Sequence, residues 1–197
     1  MASFTKVKTL TEPTVYPVDL DEAKAQAVID HSDNDAQLYA MLAAATSHVE
    51  TVTGQSLVMQ QKRLYLDKFS DAIYLPKGPV QAIQQVQYID TDGVTQTLAS
   101  SVYQFDDVEP YLRLAYGQSW PYPRYQANAV WIDYWCGYYD ASSSPIDLTT
   151  KIPAALKHAV LMLVAEFDRN REARNELETY DNPAFDALVA PYRVYLQ

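Results

Sequence analysis

Cys136 is the single thiol in a chain of 197 residues, and three imidazoles, His31, His48 and His158, could serve as its base. Such a pair would make a thiolate nucleophile. No local signature supports one. Cys136 stands in Trp135-Cys136-Gly137, at the end of an aromatic run, where a free cysteine reads as a small core residue. The histidines are scattered, and His48 and His158 fall within helical patterns. Asp90-Thr91-Asp92-Gly93 opens like a calcium loop. An EF-hand needs glycine at its sixth position and glutamate at its twelfth. Here Gly93 is fourth and Ser101 twelfth, so a tight turn is expected. Asp19, Asp21, Glu22, Asp33 and Asp35 could together hold a cation, but they read as caps at the positive ends of two helices. There is no HExxH motif, phosphate-binding glycine loop or nucleophile elbow, and only five glycines. The residues thus lead us to expect no catalytic group, no cofactor and no metal.

The aromatic residues are the stronger chemical signal. The chain has sixteen tyrosines and three tryptophans; all three tryptophans and five of the tyrosines crowd into Trp120-Pro121-Tyr122-Pro123-Arg124-Tyr125 and residues 131–139. Trp120, Tyr122 and Tyr125 could stack on a sugar. The mixture of Trp120, Tyr122 and Arg124 equally suits a protein interface, where these residue types are enriched. Pro121 and Pro123 stiffen the loop, so binding would order little extra chain, and the interface reading is preferred. A second candidate lies at the C-terminus. A mixed-charge run, from Arg169 through Glu178, precedes an apolar segment containing Leu188, Val189, Tyr192 and Arg193. Apolar residues near a free end dock on the same chain or on a partner.

These groups need elements to hold them. Residues 1–17 read as an extended arm broken by Pro13 and Pro17. Asp19 and Glu22 have capping-box spacing and open a short helix. A second helix begins near Asp33-Asn34-Asp35, carries Leu38, Leu42, Ala45, Val49 and Val52 on one stripe, and ends at Gly54. Residues 57–140 change to period two. Strands are expected around 58–66, 72–75, 80–90, 94–98, 102–105, 111–114 and 129–135, with a hairpin at Asp90–Gly93. Pro153 opens a third helix with Leu156, Val160, Leu163, Val164 and Phe167 on one face, and Pro183 opens a last amphipathic piece. The expected fold is α+β. An N-terminal helical hairpin and the C-terminal helices pack together, and an antiparallel β-rich insertion lies between them. One domain is expected over residues 18–170, with 171–197 as a partner-docking segment.

Composition sets the outer bounds. Fifteen Lys and Arg against twenty-five Asp and Glu give a net charge of −10, with a sequence pI near 4.6. Such a chain lacks the basic face of a free nucleic-acid binder and suits neither an anionic membrane surface nor a membrane span. Its 48% apolar residues are enough for a real core. The N-terminus carries no apolar run of signal-peptide length, so a reducing cytoplasm is expected during synthesis.

Several stretches taken in order resemble one family. Pro17-Val18-Asp19-Leu20-Asp21-Glu22-Ala23-Lys24 is followed by Asp33-Asn34-Asp35 and by a helix ending Val49-Glu50-Thr51-Val52-Thr53-Gly54. This is similar to the N-terminal signature of tailed-bacteriophage head–tail connector proteins, also called adaptors or head-completion proteins. Leu75-Pro76-Lys77-Gly78-Pro79-Val80, the turn before Gly93 and Ala115-Tyr116-Gly117-Gln118-Ser119-Trp120-Pro121 resemble the longer, strand-containing branch of that family. So do Ile152-Pro153-Ala154-Ala155-Leu156 and Leu188-Val189-Ala190-Pro191-Tyr192-Arg193. The charged stretch 174–182 is longer than the family pattern.

The resemblance implies a structural virion protein at the head–tail joint, present in the host cytoplasm during assembly. It implies a ring, commonly of twelve subunits, under the portal protein. The ring extends the DNA channel, passes DNA without reading its sequence, and offers a surface to the tail, a stopper or a tail-terminator protein. It also implies that the C-terminal segment reaches the portal, through Leu188, Val189, Tyr192 and Arg193. The competing reading is a carbohydrate-binding module of a tail or virion-associated protein, built on Trp120, Tyr122 and Tyr125.

Overall fold

The computed structural model describes residues 6–106, 109–139, 147–169 and 182–194. The chain forms two units. Residues 1–13 and 59–137 make one, and residues 14–58 and 138–197 make the other. The first is built of strands and the second of helices, which gives the expected α+β class.

In the β unit, side-chain alternation does most of the sorting. Strand β1 (Lys6–Thr11) is followed by β2 (Gln60–Leu66), β3 (Ala72–Tyr74), β4 (Val80–Ile89) and β5 (Thr95–Thr97). Then come β6 (Tyr103–Asp106), β7 (Tyr111–Leu114) and β8 (Val130–Cys136). Two antiparallel sheets result, one ordered β1-β2-β8-β4-β5 and the other β3-β7-β6. The period-two pattern sends Gln60, Lys62 and Leu64 of β2 to the buried face. They meet Cys136, Tyr134 and Ile132 across the β2–β8 ladder. Leu64, Val86, Ile132 and Tyr134 from the large sheet pack with Ile73, Leu75 and Leu112 from around the small one. Buried Lys62 donates through Nζ to Gln60 Oε1 at 2.8 Å and to Thr9 Oγ1 at 3.1 Å. The Tyr134 hydroxyl donates to the Pro76 carbonyl at 2.7 Å, and burial pushes this phenol well above its ordinary pKa.

Residues 6–11 are not a free arm. They pair with β2 as an edge strand, from Lys6 opposite Tyr65 to Thr11 opposite Gln61. Val7 packs against the β core and Thr9 reaches Lys62, which a reading of isolated alternation could not detect.

The opposite face of the large sheet carries an ion pair at its centre. Asp133 is only 1% exposed. Its Oδ1 accepts from Arg63 Nε at 2.6 Å, and its Oδ2 from Arg63 Nη2 and Gln85 Nε2, both at 2.8 Å. Arg63 and Gln85 stand opposite Asp133 on the two flanking strands. The guanidinium lies 5.8 Å from the Trp131 ring centroid and 6.0 Å from that of Tyr65. The hydrogen bonds to Asp133 raise the Arg63 pKa further above its ordinary value.

The helical unit follows its apolar stripes. Helix α1 (Leu20–Ala27) opens with the expected capping box. The Glu22 N–H donates to Asp19 Oδ1 at 2.7 Å, and the Asp19 N–H donates to Glu22 Oε2 at 3.0 Å. Helix α2 (Asp35–Thr53) buries Leu38, Leu42, Ala45 and Val49, and ends at Gly54 with φ +73°. Its N-cap is Asn34, with no side-chain cap bond, so Asp33 and Asp35 do not cap as expected. Asp35 instead pairs with Lys24 of α1 at 2.6 Å. Helix α3 (Ala154–Arg169) follows Pro153, whose carbonyl accepts from Leu156 and Lys157. Helix α4 (Pro183–Val189) is capped by Asn182, whose Oδ1 accepts from the Phe185 N–H at 3.1 Å. The four helices share a core that includes Leu38, Leu42, Val49, Leu156, Val160 and Phe185.

Residues 182–194 therefore belong to the helical unit and are not a detached segment. Phe185 and Val189 of α4 enter the core, and the Val194 N–H donates to the Thr53 carbonyl at 2.8 Å. The charged run 170–181 lies outside the described residues.

Asp133→Ala removes the shared acceptor of Arg63 and Gln85. Breaking such a pair should destabilise the chain by about 2–4 kcal/mol in chemical denaturation, toward the low end because Arg63 keeps some solvent. Tyr122→Ser, on an exposed loop, should stay within about 0.5 kcal/mol of the unmodified chain.

Candidate functional site

The groups that could do chemistry belong to different units. Cys136 is fully buried in the β core, its Sγ 3.7 Å from the Gln60 carbonyl. His31, His48 and His158 are exposed on the helical unit, with the His48 ring 5.7 Å from that of Phe185. The Asp90 turn is a hairpin turn, as expected. Asp90 Oδ1 accepts from the Asp92 and Val94 N–H groups, and its Oδ2 accepts from Gln96 Nε2. These bonds, the one from Gln96 first, hold the Asp90 carboxyl below the usual range. Among the described residues, no group of three or more His, Cys, Asp or Glu could hold a metal ion.

What the β unit presents instead is an aromatic loop, residues 115–128, tied down along its length. The Ala115 N–H donates to the Val102 carbonyl at 3.0 Å, and the Arg124 N–H donates to the Ile89 carbonyl at 2.8 Å. The Asn128 N–H donates to Asp67 Oδ1 at 2.8 Å, and Lys6 Nζ donates to Asn128 Oδ1 at 3.1 Å. Midway, Trp120 stacks flat on Phe69, with ring centroids 4.7 Å apart and planes 4° from parallel. The Arg124 guanidinium lies against the hairpin turn, so that a Cβ added at Gly93 would stand 2.6 Å from its Nη1.

Trp120 and Arg124 thus act as anchors, and Tyr116, Tyr122 and Tyr125 are left fully in solvent. One face of the Trp120 ring is taken by Phe69, which leaves only the other for a sugar.

A second aromatic feature lies on the helical unit. Tyr16 and Tyr39 stand 6.3 Å apart, centroid to centroid. They flank an open groove of about 450 Å3, also lined by Val18, Leu42, Glu22 and Lys157. Tyr39 and Val15 there are both exposed.

The C-terminal candidates divide by burial. Val189 is fully buried in the helical core. Leu188 and Tyr192 are partly buried against it. Arg193 Nη2 donates to Asp186 Oδ1 at 2.6 Å. Of the two docking modes open to an apolar terminus, Val189 uses its own chain. Tyr116 as an exposed contact residue and the Tyr16–Tyr39 groove are features that sequence reasoning did not single out. Hydropathy scores a tyrosine alike whether it packs or projects.

Residues 17–113 match the family model described as the phage gp6-like head–tail connector proteins. Over those residues the chain is similar to this head–tail connector family, which points to a structural role at the joint between head and tail. No curated protein matches it. Among solved structures, it is similar to a chain in the neck of an empty gene transfer agent (GTA) particle computed with C6 symmetry. The TM-score is 0.76 at 22% identity, over 98% of this chain and 97% of that one. A chain in the virion of the native GTA particle gives 0.76 at 22%, over 97% and 96%. One in the neck of the native particle computed with C12 symmetry gives 0.73 at 21%, over 98% and 97%. At this identity the likeness is one of fold, and it spans both units.

Val189→Ala should destabilise the chain by about 2 kcal/mol, read from the denaturation midpoint, because it empties part of a closed core. A Val189 that faced only a partner would leave the isolated chain unchanged. Trp120→Phe should be tolerated, since the indole N–H has no hydrogen-bond partner among the described residues. Trp120→Ala should expose the 120–125 backbone to proteolysis.

Proposed function

We propose that copies of this chain close into a ring of twelve at the head–tail joint, beneath the portal protein. In this reading the ring extends the DNA channel and receives the tail, a stopper or a tail-terminator protein. The observation that carries it is the end-to-end fold likeness to a chain from a neck computed with C12 symmetry, joined to the connector family match. Charge supports it. At −10 per chain, such a ring offers few cations for phosphates to bind, so DNA can slide through without reading or sticking.

The portal contact is proposed for the solvent side of α4 and the turn after it, where Leu188, Tyr192 and Arg193 keep exposed surface. Val189 holds that helix down from beneath. Removing residues 183–197 would also remove core residues, so point changes make the cleaner probe.

The test is electron microscopy of particles from a producer lacking this gene. Separate tails beside tailless heads are expected, and complete particles would overturn the reading. Complementation with Leu188→Ser plus Arg193→Glu should leave the chain folded but the joint unformed. Normal joining by that variant would remove the portal contact from this surface.

A further inference from the structure

The two units divide the charge unequally. Of the twenty-five Asp and Glu, sixteen lie in the helical unit, against only seven of the fifteen Lys and Arg. The β unit is close to neutral. Its 115–128 loop holds Arg124 and no carboxylate. Tyr116, Tyr122 and Tyr125 on this loop are 103%, 88% and 105% exposed. Large aromatics held in water by a backbone fixed at both ends are a preorganised contact surface, and docking them costs little further chain entropy.

The helical unit offers the matching surface. The groove beside Tyr16 and Tyr39 has an apolar floor in Val18 and Leu42, and two carboxylates, Asp19 and Glu22, against one cation, Lys157, in its lining. A closed ring needs two different patches on each subunit, one to give and one to receive.

We propose that the tyrosine loop of one copy seats in the Tyr16–Tyr39 groove of the next copy. Tyr122 and Tyr125 enter the groove, and the carboxylate-free loop lies against the acidic helical unit. The occupant is a second copy because the two surfaces match in both chemistry and charge: aromatic against aromatic, and a loop whose one charge is positive against the unit that carries most of the chain's negative excess. The proposal deepens the ring reading and rests on it.

The test uses whole particles, assembled with a chain carrying Tyr39→Cys and Tyr122→Cys. Cys136 is buried and should stay silent under mild oxidation. On a non-reducing gel this chain should form a ladder of its own multimers, and either single-cysteine variant should not. Adding Tyr125→Ser should weaken the ladder by roughly tenfold, the loss typical of an interface anchor. Three results would overturn the proposal while leaving the ring standing. They are a visible ring with no ladder, a fast-migrating monomer linked within itself, and a link to a different virion protein. Microscopy of unmodified particles that shows no ring of this chain would instead sink the ring reading itself.

Discussion

Strand β8 is the constraint on which the β unit depends. It lies between β2 and β4, and every inward residue on it is apolar or a bonded tyrosine. Asp133, on its other face, sets its register. One residue of slip against β2 or β4 would drive this carboxylate into the apolar interior and strip it of Arg63 and Gln85. An ion pair of this kind adds little net stability compared with a well-packed apolar pair. Its effect is specificity, because wrong registers become costly while the right one is merely satisfied. Trp131 and Tyr65 then cover the guanidinium, which keeps the pair in a medium where charge counts.

Register in turn positions the aromatic loop. The Ile89 N–H donates to the Ala129 carbonyl at the end of the β4–β8 ladder, and the Ile89 carbonyl accepts from Arg124. The Asn128 backbone is held by Asp67, just past β2. The loop is thus hung from three strands whose alignment Asp133 enforces. A fault at the sheet centre would reach the loop through backbone bonds without any change in the loop's own residues.

Much of this was legible in the residues, and the limits have physical causes. The capping box at Asp19 and Glu22, the stripe Leu38–Leu42–Val49 and the Asp90 hairpin are local. Each is completed within a few residues, and each appears as expected. The pairing of Lys6–Thr11 with β2 was not legible, since it depends on a strand more than fifty residues away. Nor was the destination of Val189, because its partners come from other helices. At the candidate site, the stiffness of the 120–125 loop was readable from its prolines. The split of that loop into a half-buried Trp120 and projecting tyrosines was not, because Trp120 is held by a stack on Phe69, far away in sequence.

Net charge bears on why tyrosine is so abundant. In the proposed ring, adjacent copies each carry −10 and repel one another, most strongly where helical units approach. Added lysines would relieve the repulsion but would also make the channel adhesive to DNA. Subunit contact must then come from groups that bring binding energy without charge. Leucine or phenylalanine at full exposure would do so, but would make the unassembled chain prone to aggregate. Tyrosine resolves the conflict, with an apolar ring for the contact and a hydroxyl that stays hydrated until assembly. On this argument the exposed tyrosines and the acidity of the chain are one adaptation, to bind its own copies while leaving DNA free to move.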